Sequence, residues 1–264
     1  MVEFWRRYDD IEARLAAPLS VRMVELAALR PGMRVFDVAS GRGEPAIPTA
    51  HRVGPTGFVL GIDRNDGVLD LARARVRSEG LRNVDFRAAD AETFTLDGEP
   101  AFDVATCRWA LMYFQNPHKA LERIRHVLKP GGALVAAVWA EPERVPYATL
   151  RSEVLARYQP IDPVAPDAPG VFRFSDPAVI RRDWLAAGFQ VEHLEDIEVP
   201  VIEAENGAGI VAWYRAMAGG QFNELPEAAR ESYEAELAQE AERFRVGDRI
   251  LLGGVTHLVR ASVA

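Results

Sequence analysis

Three carboxylates and two glycines are the residues of this chain whose types and spacing could do chemistry. Val35-Phe36-Asp37-Val38-Ala39-Ser40-Gly41-Arg42-Gly43-Glu44-Pro45 sets an acid inside an apolar run that opens into glycines two residues apart. Without a side chain, Gly41 and Gly43 let backbone approach a ligand closely, and the helix expected to follow offers its first amides to an anion. Pro45, having no amide proton, suits the first turn of that helix. A second acid, Asp63, ends Leu60-Gly61-Ile62-Asp63, 20 residues beyond Gly43, where a carboxylate can accept from both hydroxyls of a ribose. A third, Asp90 in Arg87-Ala88-Ala89-Asp90-Ala91, can accept from an exocyclic adenine amine. Each acid alone reads more simply as a helix cap or a surface charge. Three of them, in or at the end of three successive strands around one glycine turn, are not explained by capping.

The elements that must position them alternate in type. Met33 to Val38, Gly57 to Ile62, Val84 to Ala88, Ala101 to Cys107 and Ala133 to Trp139 are mostly near-continuous apolar runs, as expected for a parallel sheet covered on both faces. Between them Asn116-Pro117 reads as an N-cap with proline in the first turn, and Leu128-Lys129-Pro130-Gly131-Gly132 ends that helix. Ser175-Asp176-Pro177 starts another, with Ile180 and Trp184 on one face and Gly188 as its C-terminal stop before a strand from Phe189 to Ile197. The last strand is expected from Val255 to Val263. Two stretches break the alternation: 141–174, rich in proline, and 200–253, read as mostly helical with Tyr233, Leu237, Ala241 and Phe244 on one stripe. Leu19, Met23 and Leu26 fall at helical spacing before the Arg30-Pro31-Gly32 turn. The expectation is an α/β fold in one domain, 1–264, with a core of about 31–140 plus 175–199 and 254–264, and cap segments 1–30, 141–174 and 200–253.

Composition narrows the partners. With 264 residues, 48% of them apolar, the chain can bury a sizeable core, and a net charge of −8 gives no general attraction to nucleic acid. The single cysteine, Cys107, forms no internal disulfide, and no cysteine-histidine cluster has metal-site spacing. The first residues lack the apolar run of a signal peptide, and Ala133 to Ala140 is too short to cross a bilayer. The expectation is a soluble, cytoplasmic protein with no nucleic-acid, membrane or metal partner, and with homodimerisation left open.

The ordered set Val35 to Gly43, Gly61-Ile62-Asp63, Ala89-Asp90-Ala91, Phe102-Asp103-Val104 and Leu128 to Gly132 resembles the class I S-adenosylmethionine-dependent methyltransferases over residues 31–140. Trp139, Pro169-Gly170 and Ala187-Gly188-Phe189 are similar to its small-molecule branch, which includes quinone and natural-product methyltransferases. The resemblance implies a Rossmann-like seven-stranded sheet of order 3-2-1-4-5-7-6, last strand antiparallel, helices on both faces and a mainly helical cap. It implies S-adenosyl-L-methionine as cofactor: Asp37, Ser40, Gly41 and Gly43 around the methionine moiety, Asp63 on the ribose, Arg64, Asp90 and Ala91 about the adenine, and Cys107-Arg108-Trp109 beside the methyl group. Ala39-Ser40 stands where Gly-Cys is commoner, and Arg42 where a small threonine is frequent; both are tolerable at a solvent-facing turn, and Arg42 would obstruct the pocket if its side chain turned inward.

Methyl transfer from a sulfonium is a direct displacement and chiefly needs alignment. A hydroxyl acceptor would also want a base, for which His118 and Tyr113 are both candidates. Trp109, Trp139, Tyr147, Phe172, Trp213 and Tyr214 are candidates for an aromatic acceptor pocket, with plain packing as the alternative for each. Two other readings stay open. One is a protein that binds the cofactor without transferring methyl. The other is a nicotinamide-dependent oxidoreductase, disfavoured because the third glycine of that fingerprint is missing and Asp37 and Asp90 would have no role.

Overall fold

The computed structural model describes residues 2–96, 101–165, 167–218 and 225–264. The chain divides into two compact units, one of Pro18–Ala140, Asp167–Ile197 and Thr256–Ala264, the other of Met1–Ala17, Glu141–Pro166 and Glu198–Val255. Strands β1 (Arg34–Val38), β2 (Phe58–Asp63), β3 (Val84–Ala88), β4 (Phe102–Arg108) and β5 (Leu128–Trp139) pair in parallel. β6 (Phe189–Ala204), the short β7 (Arg245–Val246) and β8 (Arg249–Val263) complete an eight-stranded sheet of order β3-β2-β1-β4-β5-β8-β6, with β7 on β8. β8 runs antiparallel to β5, with Trp139 opposite Thr256. Leaving the two-residue β7 aside, this is the expected 3-2-1-4-5-7-6 order. The order reverses between β1 and β4, so a crevice opens beyond their carboxyl ends, where open α/β sheets take ligands.

Helices in the larger unit follow the caps written in the sequence. After α1 (Val2–Leu26) and α2 (Ala46–Val53), α3 (Asp66–Ser78) starts on Asn65, whose side chain accepts from the Val68 amide. α4 (Pro117–Val127) starts on Asn116, which accepts from Lys119. α5 (Pro146–Leu155) lies in the other unit, and α6 (Pro177–Ala186) starts on Asp176, whose carboxylate takes the Ala178 amide. Ile180 and Trp184 are both buried, and Gly188 takes φ +84° just past the helix.

The smaller unit holds α7 (Gly207–Ala218) and α8 (Glu227–Ala241), where Tyr233, Leu237 and Ala241 are buried and Phe244, beyond the helix, is only half-buried. The expected helical character of 200–253 holds for these two helices and fails at both ends. β6 continues to Ala204 because Val199, Val201 and Ile202 bury a β-branched run on either side of Pro200. At the other end, Gly247 at φ +63° turns β7 into β8, pairing Val246 with Arg249.

Candidate functional site

The turn after β1 is built from three left-handed residues, Ala39 at φ +56°, Gly41 at +51° and Gly43 at +94°. The two glycines serve different needs. A Cβ on Gly41 would meet nothing within 4 Å, so that face of the turn is open, whereas one on Gly43 would lie 2.7 Å from Cδ1 of Ile47 on α2. Gly43 therefore lets helix and turn pack, and Gly41 leaves room for something to approach. Pro45 is the N-cap residue of α2, one position before the helix, after a cis Glu44–Pro45 peptide, instead of lying in its first turn.

The turn amides are largely committed. Ser40 donates to Ile62 O at 2.9 Å, Gly43 to Ser40 O at 2.8 Å and Gly41 to Oδ2 of Asp63 at 3.0 Å. Hence the turn contributes close approach more than free donors. Arg42 corrects the expectation of a solvent-facing side chain: it is only 5% exposed. Burial, then the neighbouring Arg108 and Arg75, pulls its guanidinium down to about 9. Arg75 also donates to the Arg42 carbonyl and to Glu44 at 2.9 Å, bracing the turn from α3.

Asp37 is completely buried at 0% exposure. Thr106, its register partner on β4, donates Oγ1 to Asp37 Oδ1 at 2.5 Å, while Oδ2 is buried with no hydrogen-bond partner. Burial pushes this carboxyl up to about 7, although the Thr106 and Ser40 hydroxyls and the charge of Arg108 work against it. An unsatisfied buried carboxylate oxygen is costly, on the order of 1 to 3 kcal/mol or more for a charged group. A cationic group delivered here would remove that cost, which is the test an ammonium-bearing cofactor has to pass. Thr106 escaped the sequence reading; a hydroxyl in an otherwise apolar strand next to a strand carrying a buried acid was the available signal.

A cleft of about 160 Å³ lies at the strand ends, and Asp63, Arg64, Asp90 and Ala91 all line it, together with Trp109 and Tyr113. Asp63 is half-buried, its Oδ1 taking the Asn65 amide at 2.9 Å. Asp90 is exposed and its Oδ1 also caps Glu92 N at 2.8 Å, so capping and cleft-lining coexist in one side chain. Glu92, not singled out from sequence, lines the cleft as well, and its two carboxylate oxygens accept from Gln115 N and Asn116 N at 2.8 and 2.9 Å. That pair of bonds ties the segment after β4 to the segment after β3.

The segment after β4 begins at Trp109, which holds φ +53°, an unusual setting for a bulky residue. Its amide donates to Ala137 O at 2.8 Å, and its indole stacks on Trp139 with ring centres 4.6 Å apart. The indole Nε1 donates to Thr256 Oγ1 at 3.0 Å, and the Arg108 guanidinium sits 5.0 Å from the ring centre. Arg108 also reaches Ser20 Oγ at 3.4 Å. Cys107 is buried within β4, where burial pushes its thiol well above the ordinary range, and it is not among the cleft's lining residues. Tyr113 is 43% exposed at the cleft edge. His118 is exposed on α4 with Nε2 3.4 Å from Glu122, and does not line the cleft. Phe172 is half-buried in a turn that Gly170 anchors by donating to Met112 O at 3.0 Å.

In the smaller unit Tyr147, Trp213 and Tyr214 come together: Trp213 lies edge-on to Tyr147 and Tyr214 at 6.2 and 5.5 Å, and Tyr214 donates to Tyr147 O at 2.8 Å. Phe4 joins this cluster at 5.3 Å from Trp213. Among the described residues no group of three His, Cys, Asp or Glu side chains is arranged to hold a metal ion, and no helix is long and apolar enough to cross a membrane.

Residues 29–156 match a family model described as a methyltransferase domain. The chain is 41% identical over 113 residues to a ubiquinone/menaquinone biosynthesis C-methyltransferase UbiE of Hydrogenovibrio crunogenus (strain DSM 25203 / XCL-2), covering 42% of this chain and 44% of that protein. The chain thus spans about half the length of the curated relatives it matches. Among solved structures it is similar to the [4+2]-cyclase SpnF, with TM-score 0.60 and 22% identity over 94% of this chain and 80% of that one. It is also similar to a SAM dependent methyltransferase from Aquifex aeolicus, with TM-score 0.58 and 17% identity over 99% of this chain and 97% of that one. At these identities the structural likeness speaks for the fold.

Proposed function

We propose that the chain, whose residues 29–156 match a methyltransferase-domain model, transfers a methyl group from S-adenosyl-L-methionine to a small, flat, apolar or quinone-like acceptor. The observation that carries the reading is Asp37, a fully buried carboxylate with Oδ2 unpaired beside a turn whose Gly41 faces open space. Packing alone gives no reason to bury that charge; an amino acid's ammonium does. When bound, S-adenosyl-L-methionine supplies an electrophilic methyl on a sulfonium. The chain's own residues hold and aim it. Asp63 receives the ribose hydroxyls on lone pairs left over from Gly41 and Asn65. Arg64, Asp90 and Ala91 flank the adenine, and Ser40, Gly41 and Gly43 bound the methionine end. Trp109, backed by Trp139, forms an apolar wall near which a flat acceptor would lie.

Such a displacement draws its acceleration mainly from holding nucleophile and methyl at roughly 3 to 3.5 Å in line. Of the two candidate bases for a hydroxyl acceptor, Tyr113 lines the cleft and His118 does not, which favours Tyr113; a carbon acceptor made nucleophilic by its own ring needs neither. The UbiE relatives are, by name, C-methyltransferases of ubiquinone/menaquinone biosynthesis, and we extend a quinone-like acceptor class to this chain. A net charge of −8 speaks for a small molecule over a nucleic acid.

A methylation assay tests the proposal: the protein is incubated with S-adenosyl-L-methionine and a panel of quinol-type aromatics, and S-adenosylhomocysteine and methylated product are followed by mass spectrometry. Product formation supports it. Tight cofactor binding without turnover on any acceptor favours instead a non-methylating use of the same cleft, since one fold hosts many chemistries and the cyclase SpnF shares this one. Binding of NADH in place of S-adenosyl-L-methionine would overturn both.

A further inference from the structure

We propose that Thr256, on β8, is a positioning residue for the cofactor cleft: its hydroxyl fixes the indole of Trp109 and thereby sets the course of the segment 109–114 along the cleft wall. The inference rests on the cofactor reading above. Trp109 adopts φ +53°, a conformation that side chains of its size avoid and that persists only where surrounding contacts hold it. The amide bond to Ala137 O and the stack on Trp139 fix the backbone and one face of the ring, and the Arg108 guanidinium sits 5.0 Å from the ring centre. The bond from Nε1 to Thr256 Oγ1 fixes the rotation of the ring in its own plane. Thr256 is fully buried, and its own hydroxyl proton goes to Val138 O at 2.7 Å, which leaves its oxygen aimed at the indole as an acceptor. One hydroxyl therefore links β5 to Trp109, and Trp109 leads directly into Ala110, Tyr113 and Phe114, all of which line the cleft. Valine matches threonine in shape but supplies neither bond. Serine supplies both.

The test compares Thr256→Val with Thr256→Ser by calorimetric titration with S-adenosylhomocysteine and by hydrogen-deuterium exchange of the protein without ligand. Losing the two neutral hydrogen bonds of the Thr256 hydroxyl, one of which holds a strained wall, is expected to weaken binding about five- to tenfold in the valine variant. Exchange should quicken over residues 109–116 with β5 unchanged, and serine should restore both. Wild-type affinity in the valine variant, or exchange at 109–116 that does not change, overturns the proposal. So does an equal loss in both variants, because then threonine's methyl packing is what matters. Failure of the wild-type protein to bind S-adenosylhomocysteine would sink the cofactor reading alone, and the exchange comparison would still decide the role of Thr256.

Discussion

The amide of Gly41 donates to Oδ2 of Asp63 at 3.0 Å, joining the turn after β1 to the tip of β2. The same carboxylate takes the Asn65 amide on its other oxygen, so Asp63 is held in place before any ligand arrives. A preset acceptor costs little ordering when a ribose binds. Asp63→Ala is expected to weaken S-adenosylhomocysteine binding by about 1 to 3 kcal/mol, through lost ribose bonds and the loss of the Gly41 tie between the turn and β2. Calorimetry decides, and unchanged affinity would remove Asp63 from the site.

The contrast between Gly41 and Gly43 gives a paired prediction. Both hold positive φ, so alanine strains either by about 1 to 2 kcal/mol. At Gly43 the new methyl also meets Cδ1 of Ile47 at 2.7 Å, and that side chain must move. Gly43→Ala should therefore lower the melting temperature more than Gly41→Ala. Gly41→Ala, placing a methyl in open space beside the cradle, should cost more in cofactor affinity than in stability. Thermal melts and titrations of the two variants check the reversal; the same rank order in both assays would contradict it.

Much of this site was legible in the sequence because it depends on strand ends. Asp37, Asp63 and Asp90 fall in or at the ends of short apolar runs, and parallel strands of similar length bring such ends together without further information. Caps such as Asn116 and Asp176 were legible for a related reason, since a side chain bonding two or three residues away is a local event. What escaped was non-local. Arg42 looked solvent-facing because nothing near it in sequence reveals Arg108 and Arg75, whose charges it feels across the fold. Glu92 and Thr256 matter through partners 23 and 147 residues away. The ends of 200–253 differ from the helical reading because β-branched residues carry β6 through Pro200 at one end and Gly247 turns β7 into β8 at the other.

His118 and Tyr113 are separated by a third experiment. His118 stands exposed beside Glu122, whereas Tyr113 edges the cleft. With a hydroxyl acceptor, His118→Ala should leave kcat within about twofold of the wild type, as expected for a surface change. Tyr113→Phe should lower kcat by roughly 10²-fold, the lower range for loss of a positioned acid or base. A large loss in the histidine variant would reverse the assignment.

Asp37 is expected to make cofactor binding a proton-linked event. Its ordinary value is 3.8, and burial pushes it up to about 7 in the folded, ligand-free protein. The fold thus holds this proton more tightly than the unfolded chain does. The resulting stability is fully present below about 3.8 and is lost as pH rises through about 7. An ammonium beside Oδ2 favours the ionised form instead, so binding expels the proton. Affinity for S-adenosylhomocysteine should be flat above about 7 and fall by up to about tenfold per pH unit below it. Titrations in buffers of different ionisation enthalpy should show close to one proton released at about pH 6. 5′-Methylthioadenosine, which lacks the ammonium, should release none. Thr106→Val, which removes the hydroxyl donating to Oδ1, should move the midpoint upward, because that bond favours the carboxylate. Asp37→Asn should abolish the pH dependence with its affinity loss. If S-adenosylhomocysteine binds at pH 6 without proton release, the ammonium does not meet Asp37, and the methionine end of the cradle has been assigned to the wrong residues.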